Sequence, residues 1–120
     1  MSDFIHQNKP VRIPVPGNKT ILEHFGLLAN EISTFSVARM IAPPEWGEPW
    51  QAPEFDELTL MVGGKMHVET DEGTFELSAG DSFLSRAGNR VRYSNPFNAE
   101  AEYWAVCIPA FTPETANRDE

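Results

Sequence analysis

The residue types that most often carry out chemistry are sparse in this sequence. Cys107 is the single cysteine, so no intrachain disulfide can form, and His6, His24 and His67 are widely separated along the chain. A lone thiol can act as a nucleophile, but Cys107 lies in the apolar run Trp104-Ala-Val-Cys-Ile108, which favours packing in a core. The histidine spacing by itself predicts no metal site.

Aromatic, amide and carboxyl groups are concentrated instead between residues 46 and 57. Trp46 and Trp50 are followed by Gln51, Glu54 and Glu57. Tryptophans beside a cavity can stack on a ligand and exclude water, or they can pack a loop against the domain. A desolvated carboxyl group exchanges its proton at higher pH than a solvated one, which suits general acid/base chemistry. These candidates need a fold that encloses them.

Composition limits what that fold and its partners are. The chain has 120 residues, enough for one domain with one core, and 41% of them are hydrophobic. The net charge of −9 argues against nucleic acid or an anionic membrane as partner. No apolar stretch approaches the roughly 20 residues of a membrane-spanning helix, and no secretory signal is recognisable, so we expect a cytoplasmic protein.

Ten prolines and eight glycines divide the chain into short segments, which is typical of an all-β domain. Helix is predicted only at Thr20 to Phe25, before Gly26, and in a short turn starting at Thr112. Eight strands are predicted, at residues 11–15, 35–41, 57–62, 65–70, 74–77, 82–85, 91–94 and 102–108. A jelly roll is the expected closure for eight antiparallel strands.

Two of these strands are apolar on both faces. They are Leu58 to Val62 and Trp104 to Ile108, and such strands are usually covered on both sides. One cover is the interior, and a partner subunit is the preferred second cover, so we expect a homodimer. In the strand from Val91 to Ser94, apolar or aromatic side chains alternate with polar ones. This alternation places Tyr93 on the same face as Val91 and Arg92 on the opposite, solvent-exposed face.

The glycine spacing resembles that of the cupins. Their two patterns are G-x5-H-x-H-x3/4-E-x6-G and G-x5-P-x-G-x2-H-x3-N, in which three histidines and one glutamate bind a metal. The matching residues here are Gly47, Glu57 and Gly64 in the first pattern, and Gly80, Asp81, Gly88 and Asn95 in the second. The resemblance implies an all-β cupin double-stranded β-helix, or jelly-roll barrel, with one or two short helices. We expect a single domain over residues 1–120, with an arm at 1–32, a core at about 33–110 and a tail at 111–120.

The cupin histidines are missing. The first pair falls on Gln51 and Pro53, or on Trp50 and Ala52, depending on the spacing, and the third histidine falls on Val91. The segment Pro53-Glu-Phe-Asp-Glu57 resembles the ethanolamine-utilisation accessory cupins, which also lack the histidine set. We therefore predict no metal and no other cofactor. An atypical divalent-metal site, for example one that recruits His24 with Glu54 and Glu57, stays open as an alternative.

If the cupin resemblance holds, Glu57 points into the barrel. We then expect Glu57 and Tyr93 to be the catalytic pair and Cys107 to lie beside them. The predicted binding residues are Trp50, Gln51, Glu54, Arg39 and Cys107. The carboxyl of Glu57 either exchanges a proton during catalysis or is a structural remnant paired with Arg39, Arg86 or Arg92.

Three functions follow from these expectations. The first is a metal-independent isomerase, lyase or cyclase that binds a small organic molecule and uses Glu57 as acid/base. The second is a non-catalytic cupin that binds a metabolite or assists a partner protein. The third is a metal-dependent cupin enzyme with an atypical ligand set. The sequence does not identify the substrate.

Overall fold

The computed structural model describes residues 3–119 and shows an all-β architecture with two short helices. Residues 1, 2 and 120, which belong to the predicted arm and tail, lie outside the described residues. No helix within residues 3–119 has both the length and the apolar character needed to cross a membrane. The elements are β1 (Val11–Arg12), β2 (Thr20–Phe25), α1 (Leu27–Asn30), β3 (Ser36–Ala42), β4 (Trp46–Gly47), β5 (Asp56–Gly63), β6 (Lys65–Thr70), β7 (Gly73–Ser78), β8 (Ser82–Ser85), β9 (Val91–Asn95), β10 (Ala101–Ile108) and α2 (Pro113–Ala116).

The strands form two antiparallel sheets. The larger sheet has the order β1-β2-β3-β10-β5-β8, and the smaller one has the order β4-β9-β6-β7. Side chains from both sheets meet in one core, in which Met61 and Tyr103 of the larger sheet pack with Met66, Val68 and Tyr93 of the smaller sheet. The predicted all-β fold is therefore confirmed, whereas the predicted barrel is not closed, because the six-stranded and four-stranded sheets stay separate.

The prediction of a helix at Thr20 to Phe25 is wrong, because this segment is strand β2. Ile21 and Glu23 are buried on the inner face, whereas Leu22 and His24 are only half-buried, which is the period of two that a strand imposes. Pairing with β3 along most of its length decides the conformation in favour of the strand. The first helix instead follows Gly26. The predicted turn beginning at Thr112 is confirmed as α2, capped by the Thr112 side chain.

A buried asparagine joins the smaller sheet to the loops at its edge. The Nδ2 of Asn95 donates to the carbonyl oxygens of Ala42, Pro43 and Ala99 at 2.9 to 3.2 Å, and its Oδ1 accepts from the N–H of Phe97. The side chain is fully buried, so these bonds satisfy polar groups that water does not reach. Asn95, predicted as the last residue of the second cupin pattern, is thus a structural residue.

Candidate functional site

A cavity of about 60 Å³ opens on the inner face of the larger sheet. Much of its wall is apolar, formed by side chains such as Ile21, Met40, Phe55, Tyr103 and Ala105. The polar lining side chains come from five different regions of the chain, and they are Lys19, Glu23, Ser36, Glu48, Gln51, Glu57, Tyr93 and Arg118. A small, mostly apolar chamber with a few convergent polar groups has the character of a ligand site.

Strand register places Glu57 in this cavity. Glu57 of β5 is paired with Cys107 of β10 on one side and with Ser85 of β8 on the other. Directly paired residues project from the same face of a sheet, and both neighbours are buried. The inner face of β5 therefore carries Glu57, Thr59 and Met61, and the half-buried Glu57 lines the cavity.

The environment of Glu57 favours its protonated form. Burial is the largest effect and the nearby Glu48 carboxylate adds to it, so that the pKa of Glu57 rises from 4.5 to about 7. Lys19, Arg118 and the Tyr93 hydroxyl act in the opposite direction without cancelling the increase. At neutral pH the carboxyl group is therefore close to half-ionised, and it can both give and take a proton.

Tyr93 contributes a hydroxyl group that is left without a partner. The side chain is 3% exposed and lines the cavity, and its hydroxyl has no hydrogen-bond partner within residues 3–119. It nevertheless lies near enough to lower the pKa of Glu57. Burial, followed by the charge of Glu57, raises the pKa of Tyr93 itself, so the hydroxyl keeps its proton and can donate it in a hydrogen bond.

Lys19 places a cation in the same chamber. Its side chain is 8% exposed, and the Nζ atom lies 4.0 Å from the centre of the Trp46 ring and 5.2 Å from that of Tyr103. Burial lowers the pKa of Lys19, whereas the charges of Glu48 and Glu57 partly restore it. The aromatic rings stabilise the protonated form of such a side chain through their π-electrons and leave its hydrogen-bond donors available.

Three side chains from two loops form a polar chain at the cavity wall. The Gln51 Nε2 donates to Glu48 Oε1 at 3.1 Å, and Arg118 Nε donates to Gln51 Oε1 at 3.2 Å. Gln51 is 4% exposed, and its backbone pairs with both Val91 and Arg118. The amide thereby connects a carboxylate to a guanidinium group and fixes the position of both.

Cys107 lines the cavity but is poorly suited to nucleophilic attack. It is 4% exposed, and burial together with the charge of Glu57 raises the pKa of its thiol. A thiol that does not ionise is a weak nucleophile.

The Glu23 carboxylate of the cavity lining already has hydrogen-bond partners. Its Oε2 accepts hydrogen bonds from the N–H groups of Leu28 and Ala29 at 3.0 and 2.8 Å.

Three predicted binding residues lie outside the cavity lining. Arg39 projects from the other face of the larger sheet, where its Nε is 2.9 Å from an oxygen of Glu102. Glu54 is exposed and accepts a hydrogen bond from Asn117 Nδ2. Trp50 is half-buried beneath the guanidinium of Arg90, at 5.3 Å.

The remaining arginines weighed as partners of Glu57 are also elsewhere. Arg92 lies 3.7 Å from Glu69, and Arg86 is exposed. The guanidinium that does influence Glu57 belongs to Arg118, in the predicted tail at 111–120. Residues 117–119 are exposed, but they are anchored, since the Asp119 N–H donates to the Trp50 carbonyl and Arg90 pairs with Asp119.

Sequence reasoning missed Lys19, Glu48 and Arg118. Lys19 could have been found by reading residues 19–25 as a strand, because Lys19, Ile21 and Glu23 then alternate inward. Arg118 carries no such signal. Its approach to the cavity depends on a long-range bridge with Gln51 that no local pattern encodes.

Comparison with known proteins gives one relative in sequence. No family model matches the chain. Over 107 residues the chain is 40% identical to the endoribonuclease YbeY of Myxococcus xanthus strain DK1622. This match covers 89% of the chain but only 36% of that protein, so the chain spans about a third of the length of the curated relative it matches.

Solved structures resemble the chain over most of its length. An RmlC-like cupin from Shewanella frigidimarina NCIMB 400 superposes with a TM-score of 0.73 and 16% identity, covering 92% of this chain and 93% of that one. The ethanolamine utilization protein Q from Salmonella typhimurium LT2 superposes with a TM-score of 0.63 and 18% identity, covering 80% and 73% of the two chains. The resemblance to small cupins predicted from the glycine framework is confirmed at the level of fold.

The residues at the cupin ligand positions do not fit a metal. The pattern positions hold Gln51 and Pro53, or Trp50 and Ala52, together with Val91, and neither proline nor valine offers a donor atom. Within the described part of the chain, no three His, Cys, Asp or Glu side chains are grouped so that they could hold a metal ion. His24 packs against the Trp104 ring at 4.8 Å rather than joining Glu57.

Proposed function

We propose that this chain, which has the fold of the RmlC-like cupins, binds a small organic molecule in the cavity of the larger sheet and moves a proton through Glu57. The observation that carries the proposal is a half-buried carboxyl group in the cavity lining whose pKa is raised to about 7, chiefly by desolvation. General acid/base catalysis is most efficient when the catalytic pKa is near the working pH. Perturbed carboxyls of this kind are concentrated at functional sites.

The other cavity residues have distinct roles in this proposal. The Tyr93 hydroxyl, unpartnered and protonated, donates a hydrogen bond to the bound molecule beside Glu57. Gln51, fixed between Glu48 and Arg118, forms the polar wall. Cys107 contributes apolar surface to the chamber. The reaction class is proton removal or addition at a carbon next to a carbonyl group, the step that isomerases, lyases and cyclases share.

Proton exchange with solvent tests this function without knowledge of the natural substrate. Chelator-treated protein would be incubated in D₂O with a panel of small ketones and keto acids, and carbon-bound deuterium would be followed by NMR. We expect the wild type to accelerate exchange for at least one compound and Glu57→Gln to lose about 100-fold or more of that rate. Glu72→Gln, which removes a carboxyl from an exposed turn, is the matched control and keeps the rate.

Exchange that survives in Glu57→Gln would contradict the proposal, and so would a panel in which no compound exchanges.

A second candidate function, a non-catalytic accessory domain, is favoured by the match to a much longer protein of which this chain spans 36%. In that case the cavity binds a metabolite without turnover. The net charge of −9 gives no support to RNA binding by this chain itself.

We also propose that the outer face of the larger sheet pairs two copies of the chain. Register brings Leu84, Leu58, Val106 and Val37 into one row across four strands. The flanking Leu60, Val62 and Ile108 are 42%, 51% and 49% exposed. An apolar sheet face of this kind marks an interaction surface, and a closed symmetric dimer covers it on both copies at once.

A further inference from the structure

Two hydrogen-bond donors in the cavity have no acceptor. The Tyr93 hydroxyl is buried and makes no hydrogen bond of ordinary length with residues 3–119, although it lies close to Glu57 and Thr59. The Lys19 Nζ makes neither an ion pair within 4.0 Å nor a hydrogen bond with any of the same residues. Leaving a buried donor unsatisfied is costly, so the Tyr93 hydroxyl in particular favours an acceptor from a ligand. Both groups line the same chamber, so one oxygen-bearing ligand can satisfy both.

The acidic residues of the chamber limit how much negative charge such a ligand can carry. Two of the three carboxyls already have partners, since Glu23 accepts from backbone N–H groups and Glu48 accepts from Gln51. Glu57 accepts no backbone or amide N–H of this kind, and the donor beside it is the Tyr93 hydroxyl. The three carboxyls outnumber the two basic side chains of the lining, Lys19 and Arg118, so a ligand with several negative charges would be repelled, whereas a single anionic group can sit against Lys19.

We propose that the ligand of this cavity is a small monocarboxylate or an enolisable keto acid, whose anionic oxygen is held by Lys19 Nζ and Tyr93 Oη while its short apolar body lies against the aromatic wall. This inference rests on the proposed function because it concerns the ligand of the same cavity. It adds the chemical class of that ligand, and it assigns Lys19 as the residue that selects for an anion.

Binding is coupled to the protonation of Glu57. An anion placed in the chamber raises the pKa of Glu57 further, so at neutral pH the complex takes up part of a proton. Above pH 7 the empty site carries an ionised Glu57 that must be protonated before the anion enters. Affinity therefore falls as the pH rises past 7, by up to about tenfold per pH unit. The charged or titratable groups around Glu57 in this cavity are Lys19, Glu23, Glu48, Tyr93, Tyr103, Cys107 and Arg118.

Three probes of the same size separate charge from shape. Butyrate, butyramide and butylamine would be titrated into the full chain by calorimetry at pH 6, 7 and 8, in buffers of different ionisation enthalpy. We expect butyrate to bind most tightly, with proton uptake and with weaker binding at pH 8. Butylamine or butyramide binding as tightly as butyrate overturns the proposal, and failure of all three to bind overturns it as well.

Three variants test the assigned donors. Lys19→Met should weaken butyrate binding about tenfold or more, whereas Lys65→Met, which removes the same charge from an exposed side chain, should leave it unchanged. Tyr93→Phe removes a hydroxyl that lacks a partner, so it should fold at least as stably as the wild type while binding butyrate more weakly. Equal affinity in Tyr93→Phe and wild type contradicts the role of Tyr93 even if Lys19→Met fails to fold.

Failure of this inference and failure of the proposed function give different results. Butyrate binding with no deuterium exchange by any carbonyl compound supports the anion site and removes the catalytic role of Glu57. Deuterium exchange that depends on Glu57 but persists in Lys19→Met keeps the acid/base function and rejects Lys19 as the anion-selecting residue.

Discussion

Glu57 is a single carboxyl group whose protonation is set by its position on the inner face of β5. Its pKa rises from 4.5 to about 7 because burial disfavours the charged form and Glu48 repels it. A carboxyl whose pKa is higher in the folded chain than in the unfolded chain makes its full contribution to the free energy of unfolding at low pH. That stabilisation is lost as the pH rises from about 4.5 to about 7.

The comparison of wild type with Glu57→Gln isolates this effect. A shift of this size corresponds to roughly 3 kcal/mol, so Glu57→Gln should be the more stable protein above pH 7 by an amount of that order. Near pH 4.5 the advantage should largely vanish, since the glutamate is then neutral in the fold. Urea unfolding of both proteins at pH 4.5, 6 and 8 measures the difference. A difference that does not change with pH would mean that Glu57 is not desolvated.

At the residue scale the sequence predicted part of the site. Glu57, Tyr93, Gln51 and Cys107 were expected at the cavity and line it. They were accessible to sequence reasoning because each lies in a strand or segment with a readable alternation or a pattern match. Lys19 was missed because the strand that begins beside it, at Thr20, was predicted to be a helix. Arg118 reaches the cavity only through tertiary structure.

The turn between β5 and β6 depends on the left-handed backbone conformation of Gly64. Gly64 has φ of +72°, and a Cβ atom there would overlap the carbonyl oxygen of Glu100. The neighbouring Gly63 has an ordinary φ and open space around it. Only Gly64 therefore needs to be glycine, which gives the last glycine of the first cupin pattern a physical reason.

Alanine at these two adjacent positions should give opposite results. Gly64→Ala combines an unfavourable φ with a backbone clash, so we expect a loss of about 2–4 kcal/mol in the free energy of unfolding. Gly63→Ala should change it by about 0.5 kcal/mol or less, or stabilise slightly. Denaturant unfolding measures both. Equal effects of the two substitutions would show that the turn is not held in the conformation described.

At the element scale the sequence predicted most strands because glycine and proline mark their ends. The bounds of β6 and β8 were predicted correctly, and the other predicted strands agree to within a few residues. The helix prediction at Thr20 to Phe25, which relied on Gly26 as a helix end, failed because tertiary pairing with β3 decides the conformation of this segment. The two-residue β4 is too short to leave a periodic signal.

On the scale of the whole molecule, the apolar outer face of the larger sheet is the main unexplained surface. Leu60→Glu should disrupt the proposed dimer, because it places a charge on that face, next to the apolar row that contains Leu58. Leu28→Glu is the matched control, since Leu28 is 65% exposed on α1, outside the sheet. Light scattering coupled to gel filtration should show a dimer for wild type and Leu28→Glu, and a monomer for Leu60→Glu. A monomeric wild type would contradict the proposal.

The fold as a whole was predictable because the glycine spacing, and the glycine and proline residues that end the strands, are local signals that remain readable at low sequence identity. Function is less predictable, since the same two-sheet scaffold supports many chemistries through the few residues that face its cavity. Here those residues include a carboxyl near its titration midpoint, an unpartnered tyrosine and a buried lysine. The proposed chemistry depends on the first of them.

Carbon-13 NMR of glutamate side chains measures the pKa of Glu57 directly. The carboxyl resonance would be followed from pH 3 to pH 9 in the wild type and assigned by its disappearance in Glu57→Gln. We predict a midpoint near 7, well above the ordinary value of 4.5. A midpoint at or below 4.5 would show a solvated carboxylate and would contradict an enclosed acid/base at this position.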